Sequence, residues 1–231
     1  TLYATLGDVA RPEINIITVE DPVEFRMRGI NQVQVNNKAG MTFAAALRSI
    51  LRADPDVVLI GEIRDQETAN IAIEASLTGH LVLSTLHTND APSAVTRLTE
   101  MGVEPFLLSS SLAAVMAQRL ARRLCKKCKR QDTATEAELR TLGVPHMPDT
   151  PLPTIWRPVG CRECANTGYS GRVAIQQVMG VDSTMEDLIA RGATSIDIDK
   201  AAKEQGMTTL RKDGWQKALQ GITSVEEVLR V

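Results

Sequence analysis

Residues 51–65 read LRADPDVVLIGEIRD, and the fold predicted for the chain follows from this stretch. Its centre, Val57–Ile60, is a short, continuous apolar run, as in a parallel strand that is covered on both faces. Gly61 and Glu62 follow that run directly, and the next segment, Gln66–Leu77, has the apolar spacing of a helix. A strand that leads into a helix in this way indicates an α/β architecture.

The alternation of strands and helices continues on both sides of this stretch. Apolar runs at residues 14–19 and 81–85 predict two further buried strands. The predicted helices are the end of one in residues 1–10, one capped by Thr42, one between Asp90 and Gly102, and one from about 105 to 123. Strands that alternate with helices predict a parallel sheet.

The second half of the chain has a different pattern. Residues 145–158 hold five of the ten prolines, which excludes a long regular element there. From about Ser183 onward the apolar spacing is helical to the end of the chain. Thr223 and Glu226 form a predicted capping box before the last helix.

Composition excludes several classes of function. Of 231 residues, 43% are hydrophobic and 23% charged, as in an ordinary globular protein, and the net charge of -2 provides no basic field for nucleic acid. No apolar run approaches the ~18 residues of a membrane span, and no signal peptide opens the sequence. The first residue is Thr1, so we expect a fragment, a processed form or a trimmed chain.

Polar side chains follow three predicted strands at the point where each strand ends. These segments are residues 20–24 (EDPVE), 61–65 (GEIRD) and 85–89 (TLHTN). Open α/β sheets bind ligands at the carboxyl ends of their strands. Glu62 after an apolar strand is the Walker B arrangement, since Mg²⁺ needs oxygen ligands and an attacking water needs a carboxylate. The alternative is that these acids are solvated loop caps.

A nucleotide site also needs a phosphate-binding loop, usually GxxxxGK[ST] between a strand and a helix. None of the fifteen glycines is followed by lysine, so this loop is absent from the sequence. Because the chain opens inside a predicted helix, we expect the loop directly upstream of that helix.

The four cysteines form two CxxC pairs, Cys125 with Cys128 and Cys161 with Cys164, separated by 32 residues. Two such pairs bring four thiolates to one metal and predict a closed, structural Zn²⁺ site. Redox activity is the alternative, but it needs one reactive pair and leaves the second unexplained. Six basic residues lie in and around the first pair (Arg122, Arg123, Lys126, Lys127, Lys129 and Arg130). Aromatic residues are only 3% of the chain, so this cluster predicts a solvated or membrane-facing surface rather than base stacking.

The sequence resembles the type II secretion and type IV pilus assembly ATPases. Residues 51–65 match the family signature, residues 17–25 (ITVEDPVEF) look like its Asp box, and residues 78–90 (TGHLVLSTLHTND) look like its His box. Residues 1–3 resemble the stretch that follows the family's Walker A loop. The tetracysteine pattern resembles the extension branch, although the family commonly has an aromatic residue and Glu where this chain has Gln176 and Gln177.

The resemblance implies site roles for particular residues. The implied catalytic residues are Glu62 as the Walker B glutamate, the Asp-box acids Glu20, Asp21 and Glu24, and His87 as a sensor of the γ-phosphate. Of the acids, we expect Glu20 to polarise the attacking water. The implied nucleotide-binding residues are His80, Gln118 and Arg119, with a core or cap role as the alternative for His80. Arg48, Arg52 and Arg64 are candidate ion-pair partners of the acids.

The resemblance also implies an architecture and partners. It implies a RecA-like P-loop NTPase core at residues 1–124, truncated so that it lacks the P-loop itself, a zinc subdomain at 125–165 and a helical C-terminal subdomain at 166–231. The intact protein would bind ATP and Mg²⁺, form a homo-oligomer, expected to be a hexamer, and bind inner-membrane platform and cytoplasmic adaptor proteins. It would lie in the cytoplasm, peripheral to the inner membrane. The alternatives are a non-catalytic zinc-stapled assembly module and a DNA-uptake pilus ATPase.

Overall fold

The computed structural model describes residues 1–147 and 149–231, so Pro148 in the predicted proline-rich segment lies outside the described residues. The chain divides into two compact units. The first comprises residues 1–88, 92–113 and 181–198, and the second comprises residues 89–91, 114–180 and 199–231.

A four-stranded parallel sheet forms the centre of the first unit. Its strands are β1 (Ile16–Glu20), β2 (Asn31–Gln34), β3 (Val57–Ile60) and β4 (Leu81–Ser84). The order is β2-β1-β3-β4, and every neighbouring pair is parallel. β1 and β3 are buried along their whole length, as their apolar sequences predict. β4 was predicted as a buried strand, and this is wrong, because it lies at an edge of the described sheet and Leu81 is 48% exposed.

The helices that belong wholly to the first unit are α1 (Leu2–Val9), α2 (Phe43–Ile50), α3 (Gln66–Leu77), α4 (Pro92–Glu100), α5 (Pro105–Ser111) and α7 (Ser183–Ala190). Thr42 caps α2 by accepting the N–H of Ala45, and Asp65 caps α3 by accepting the N–H of Thr68. Leu6 of α1 is fully buried against the sheet residues Ile16 and Val57. α2 packs against β1 and α3, and α3 packs against β4.

The second unit contains a long antiparallel pair, β5 (Ala114–Leu124) with β8 (Tyr169–Gly180), and a short one, β6 (Arg130–Thr133) with β7 (Thr154–Arg157). Its helices are α6 (Glu136–Leu142), α9 (Leu210–Leu219) and α10 (Val225–Arg230), and α8 (Ser195–Glu204) crosses from the first unit to the second. One buried cluster includes Ala121, Leu139, Ile155, Ile175 and Trp215, so both strand pairs, α6 and α9 share a core.

Two local predictions are wrong in this region. The helix predicted over residues 105–123 ends at Ser111, and β5 follows it, because residues 114–124 pair with β8 far along the chain. Ser224, not Thr223, caps α10 by accepting the N–H of Glu227. Thr223 instead donates to the carbonyl of Arg122 at 2.8 Å, a long-range contact that local spacing does not reveal. No helix in the described part of the chain is long and apolar enough to cross a membrane.

Candidate functional site

The ends of the parallel strands form an acidic cleft, which we define by Glu20, Asp21, Glu24 and Glu62. The register aligns Val19 with Ile60, and Ile60 with Ser84, so the three predicted segments begin at the same edge of the sheet. The other residues that line the cleft are Leu2, Tyr3, Pro22, Phe43, Leu59 and Gly61. The peptide bond between Asp21 and Pro22 is cis. The cleft therefore combines four carboxylates with an apolar wall.

Gly61 allows the end of β3 to lie close to β1. Its N–H donates to the Val19 carbonyl at 2.7 Å, and a Cβ at this position would lie 3.3 Å from that oxygen. A larger residue would require the end of β1 to shift by a few tenths of an ångström. The glycine of the signature thus suits the close approach of the two strand ends at the cleft.

Glu20 is the most enclosed carboxylate of the cleft, with only 5% of the residue exposed. Its Oε1 accepts a hydrogen bond from the Thr18 hydroxyl at 2.6 Å and one from Gln32 Nε2 at 3.1 Å. Its Oε2 accepts a hydrogen bond from the Tyr3 phenol. Burial, followed by the hydrogen bond to Glu20, raises the pKa of Tyr3, so the phenol keeps its proton. Both carboxylate oxygens of Glu20 are thus held by neighbouring side chains.

Glu62 lies between two basic side chains. Arg64 Nη2 is 2.5 Å from Glu62 Oε1, and His87 Nε2 is 3.4 Å from Glu62 Oε2. The hydrogen bond and charge of Glu62 raise the pKa of Arg64. The Glu62 side chain is only 14% exposed, whereas those of Arg64 and His87 are 65% and 89% exposed. The structure thus brings together Glu62 and His87, two of the predicted catalytic residues, and makes Arg64 an ion-pair partner.

His80 has a local structural environment. Its Nδ1 lies 2.9 Å from the Ala75 carbonyl and 3.1 Å from the Thr78 hydroxyl, at the C-terminal end of α3. These contacts match the cap role, and nucleotide binding by His80 stays a prediction.

Gln118 and Arg119 lie on β5 in the second unit. Gln118 is opposite Gln176 of β8, and Arg119 Nη2 donates to the Asn89 carbonyl at 2.9 Å. Their predicted role in nucleotide binding stays a prediction.

Tyr3, Thr18 and Gln32 were not predicted as site residues, although all three bond to Glu20. Thr18 gives a signal that sequence reasoning can use, because residues i and i+2 of a strand share a face. The sequence gives no comparable signal for Tyr3 and Gln32, because they lie on α1 and β2 rather than on the strand of Glu20.

The four cysteines form a second candidate site, a metal centre. Their sulfur atoms all lie within 4.8 Å of one another. Cys125 is 3.8 Å from Cys161, Cys128 is 3.8 Å from Cys164, and Cys161 is 3.7 Å from Cys164, measured between Sγ atoms. A tetrahedron with Zn–S bonds of about 2.3 Å has S···S edges of about 3.8 Å. The sulfur positions therefore fit a Zn²⁺ ion with four thiolate ligands.

Backbone N–H groups point at these sulfurs. Gly160 N lies 3.3 Å from Cys128 Sγ, while Cys161 N and Gly168 N lie 3.2 and 3.3 Å from Cys164 Sγ. Burial disfavours the charged thiolates and raises the pKa of Cys128 to about 11. At Cys164, burial is outweighed by the N–H donors and the neighbouring thiols, which lower its pKa to about 6. These donors stabilise the thiolate, the form in which cysteine binds a metal.

Several of the six basic residues around the first CxxC pair have structural partners. Lys129 Nζ donates to the Gly221 carbonyl at 2.7 Å and lies 4.4 Å from the centre of the Trp156 ring. Lys127 pairs with Glu163 at 3.9 Å. At least these two lysines thus serve packing or pairing within the second unit.

Arg122 joins β5 to α10 through Glu227. The Glu227 side chain is 1% exposed and accepts hydrogen bonds from the Arg122 guanidinium at 2.7 Å, from the Arg122 backbone N–H at 2.8 Å and from Arg230 at 2.8 Å. Burial opposes the charge of Glu227, but these donors outweigh it and lower the pKa of Glu227 from 4.5 to about 2. This carboxylate is a structural charge of the second unit.

Comparisons with known proteins identify the family of the chain. Residues 1–230 match the family described as Type II/IV secretion system protein. The chain is 51% identical over 231 residues to the type II secretion system protein E of Aeromonas hydrophila, covering 100% of this chain and 45% of that protein. It is 54% identical over 231 residues to protein E of Pseudomonas aeruginosa, again covering 100% of this chain and 45% of the relative. It is also 51% identical over 229 residues to the type IV pilus assembly ATPase PilB of Thermus thermophilus, covering 99% of this chain and 26% of PilB.

Solved structures show a similar fold. The pilus retraction motor PilT with bound ADP superposes with a TM-score of 0.72 at 24% identity, covering 100% of this chain and 56% of PilT. The ATPase DotB of Legionella pneumophila superposes with a TM-score of 0.63 at 21% identity, covering 93% of this chain and 50% of DotB. The chain spans less than half the length of these curated relatives.

Proposed function

The chain belongs to the type II/IV secretion system protein family, and we propose that it is the C-terminal part of an ATPase that drives assembly of a pilin or pseudopilin fibre. The observation that supports catalysis most directly is the acidic cleft, where Glu20 and Glu62 line one depression at the ends of two buried parallel strands. Carboxylates at this place suit a magnesium nucleotide.

The residues of the cleft have distinct roles in this proposal. Glu62 would bind the waters of Mg²⁺, and Glu20 would orient the attacking water. Bound Mg²⁺ would neutralise charge on the phosphates. Arg64 has an exposed side chain and can leave Glu62 when a cation approaches, while His87, at 3.4 Å from the same carboxylate, is placed to respond to that change. Asp21 and Glu24 would add negative charge around the metal.

The remaining segments have supporting roles. We propose a RecA-like core at residues 1–124, to which a preceding segment of a longer protein supplies the phosphate-binding loop and completes the site. Residues 125–165 would form the zinc subdomain. The C-terminal subdomain would lie within residues 166–231, of which 181–198 belong to the first unit. Hydrolysis would take place in a ring, expected to be a hexamer, at the cytoplasmic side of an inner-membrane platform with its adaptor proteins. The zinc would be structural, because four thiolates leave no open position for water.

The decisive experiment uses the longer protein that contains this chain and its upstream loop. We expect Glu62→Gln to lower the ATP turnover number at least ~100-fold while ATP binding is retained, because the variant removes the carboxylate and keeps its size. Glu67→Gln is the matched control, since Glu67 lies on α3, 59% exposed, and pairs with Arg48. Unchanged turnover in Glu62→Gln would refute the assignment. The absence of turnover in the wild-type protein would favour the non-catalytic assembly module.

A further inference from the structure

Tyr3 connects three parts of the acidic cleft. Its phenol donates to Glu20 Oε2 at the end of β1, and its oxygen accepts the backbone N–H of Glu24 at 3.2 Å. Its ring packs against Phe25, with the ring centres 4.3 Å apart. One side chain of α1 thus holds both the carboxylate and the loop that continues from it.

The hydrogen bonds to Glu20 come from both sides of the carboxylate. Thr18 and Gln32 donate to Oε1, and Tyr3 donates to Oε2. With donors on both oxygens, rotation about the last side-chain bond is restricted, and the carboxylate plane is fixed. Thr18 and Gln32 lie on β1 and β2, so Tyr3 is the donor that does not come from these strands.

We propose that Tyr3 is a positioning residue for Glu20, which holds the carboxylate in one orientation toward the cleft that it shares with Glu62. This inference rests on the proposed ATPase function and adds a residue outside the predicted acidic segments. Tyr3 does not exchange protons in this role. It donates a hydrogen bond to Glu20 Oε2 and keeps its own proton.

Removal of the phenol has a consequence that a purely structural residue would not share. In Tyr3→Phe the ring still packs against Phe25, but Glu20 Oε2 loses its donor and the Glu24 N–H loses its acceptor. The carboxylate then rotates more freely. We therefore expect a loss of turnover with little change in KM for ATP, because binding of ATP does not depend on the orientation of Glu20.

The first test measures kcat and KM for ATP hydrolysis by the longer protein. We expect Tyr3→Phe to lower kcat about 10-fold and to leave KM for ATP within about 2-fold. Tyr169→Phe is the matched control, because it removes a phenol that bonds to Ser224 in the second unit. An unchanged kcat in Tyr3→Phe would overturn the proposal.

The second test needs no activity and uses the 231-residue chain. The chain has two tyrosines, so in Tyr169→Phe the ultraviolet absorbance of tyrosinate reports on Tyr3 alone. We expect Tyr3 to ionise above the ordinary value of 10.0, and to do so at a lower pH when Glu20→Gln is added. Circular dichroism checks that each variant is folded at the pH of the measurement. Ordinary ionisation of Tyr3 in the single variant contradicts the bond to Glu20. Because burial also raises the pKa of Tyr3, the fall on adding Glu20→Gln is what separates the bond from burial. Failure of this test refutes the role of Tyr3, whereas inactivity of the wild-type longer protein refutes the proposed function.

Discussion

Neutralising Glu227 should destabilise the second unit, and the size of the effect follows from its surroundings. The Glu227 side chain is 1% exposed, and its pKa is lowered from 4.5 to about 2. Each pKa unit corresponds to about 1.36 kcal/mol. A shift from 4.5 to about 2 therefore sets an upper limit of about 3.4 kcal/mol on the contribution of the Glu227 charge to the free energy of unfolding. Arg122 and Arg230 are 51% and 53% exposed and regain water in the variant. We therefore expect Glu227→Gln to lower the free energy of unfolding by about 2 kcal/mol at pH 7.

The pH dependence gives a sharper test than the value at one pH. The folded-state pKa is depressed, so the stability from Glu227 is fully present above pH 4.5 and is lost as the pH falls toward 2. The difference between the wild-type chain and Glu227→Gln should therefore be constant near neutral pH and should begin to shrink below pH 4.5.

Urea unfolding followed by tryptophan fluorescence measures this difference in the second unit, which contains Glu227. Both tryptophans of the chain, Trp156 and Trp215, lie in the second unit. Glu163→Gln is the matched control, because Glu163 is 66% exposed and pairs with Lys127 at 3.9 Å, so it should change the free energy of unfolding by less than about 0.5 kcal/mol. Equal losses in the two variants, or a difference that persists on acidification, would refute the reasoning.

Two further predictions concern the same unit. Cys164→Ser, or treatment of the wild-type chain with a chelator, should remove one Zn²⁺ per chain, as measured by elemental analysis. The same change should lower the urea midpoint of the tryptophan transition. Four freely reactive thiols and no zinc in the wild-type chain would contradict the metal assignment. Gly221→Ala should lower the free energy of unfolding by about 2 kcal/mol in the same experiment, since Gly221 has φ +64° and a Cβ would lie 2.5 Å from Trp156 Cδ1. Gly143→Ala is its control, because Gly143 has φ +69° with no atom within 4 Å of a Cβ. It should lower the free energy of unfolding by only about 1 kcal/mol, from backbone strain.

The parts of the fold that local sequence determines were predicted well. β3 and α3 have the predicted bounds, because a continuous apolar run, a capping aspartate and an uninterrupted helical face all lie within residues 57–77. The clustering of the four cysteines was also predicted, since each CxxC spacing presents two thiols to one side and two such pairs complete a four-thiolate site.

The error at β5 has a specific cause. Ala117, Ala121 and Leu124 are buried in the strand, and their spacing of four and three residues is that of a helix face. In a regular strand the buried positions would keep a spacing of two. The register shift between Arg122 and Leu124 breaks that alternation, and it depends on pairing with β8, which no local window contains.

The candidate site was predictable in part for the same reason. Glu20 and Glu62 could be placed together because the ends of parallel strands meet at one edge of a sheet. Tyr3 could not, because its contact with Glu20 joins α1 to β1 across a turn whose path the sequence pattern does not specify.

The four cysteines lie near the two ends of the chain segment that joins β5 to β8. β5 ends at Leu124, next to Cys125, and its partner Tyr169 begins β8 shortly after Cys164. Between them the chain makes a loop of roughly 44 residues, and closing such a loop costs about 3 kcal/mol of chain entropy plus a constant. A metal bound by two cysteines near each end of this loop would hold those ends together and offset part of this cost. It would join β5 to β8 as a two-residue turn joins the strands of an ordinary hairpin.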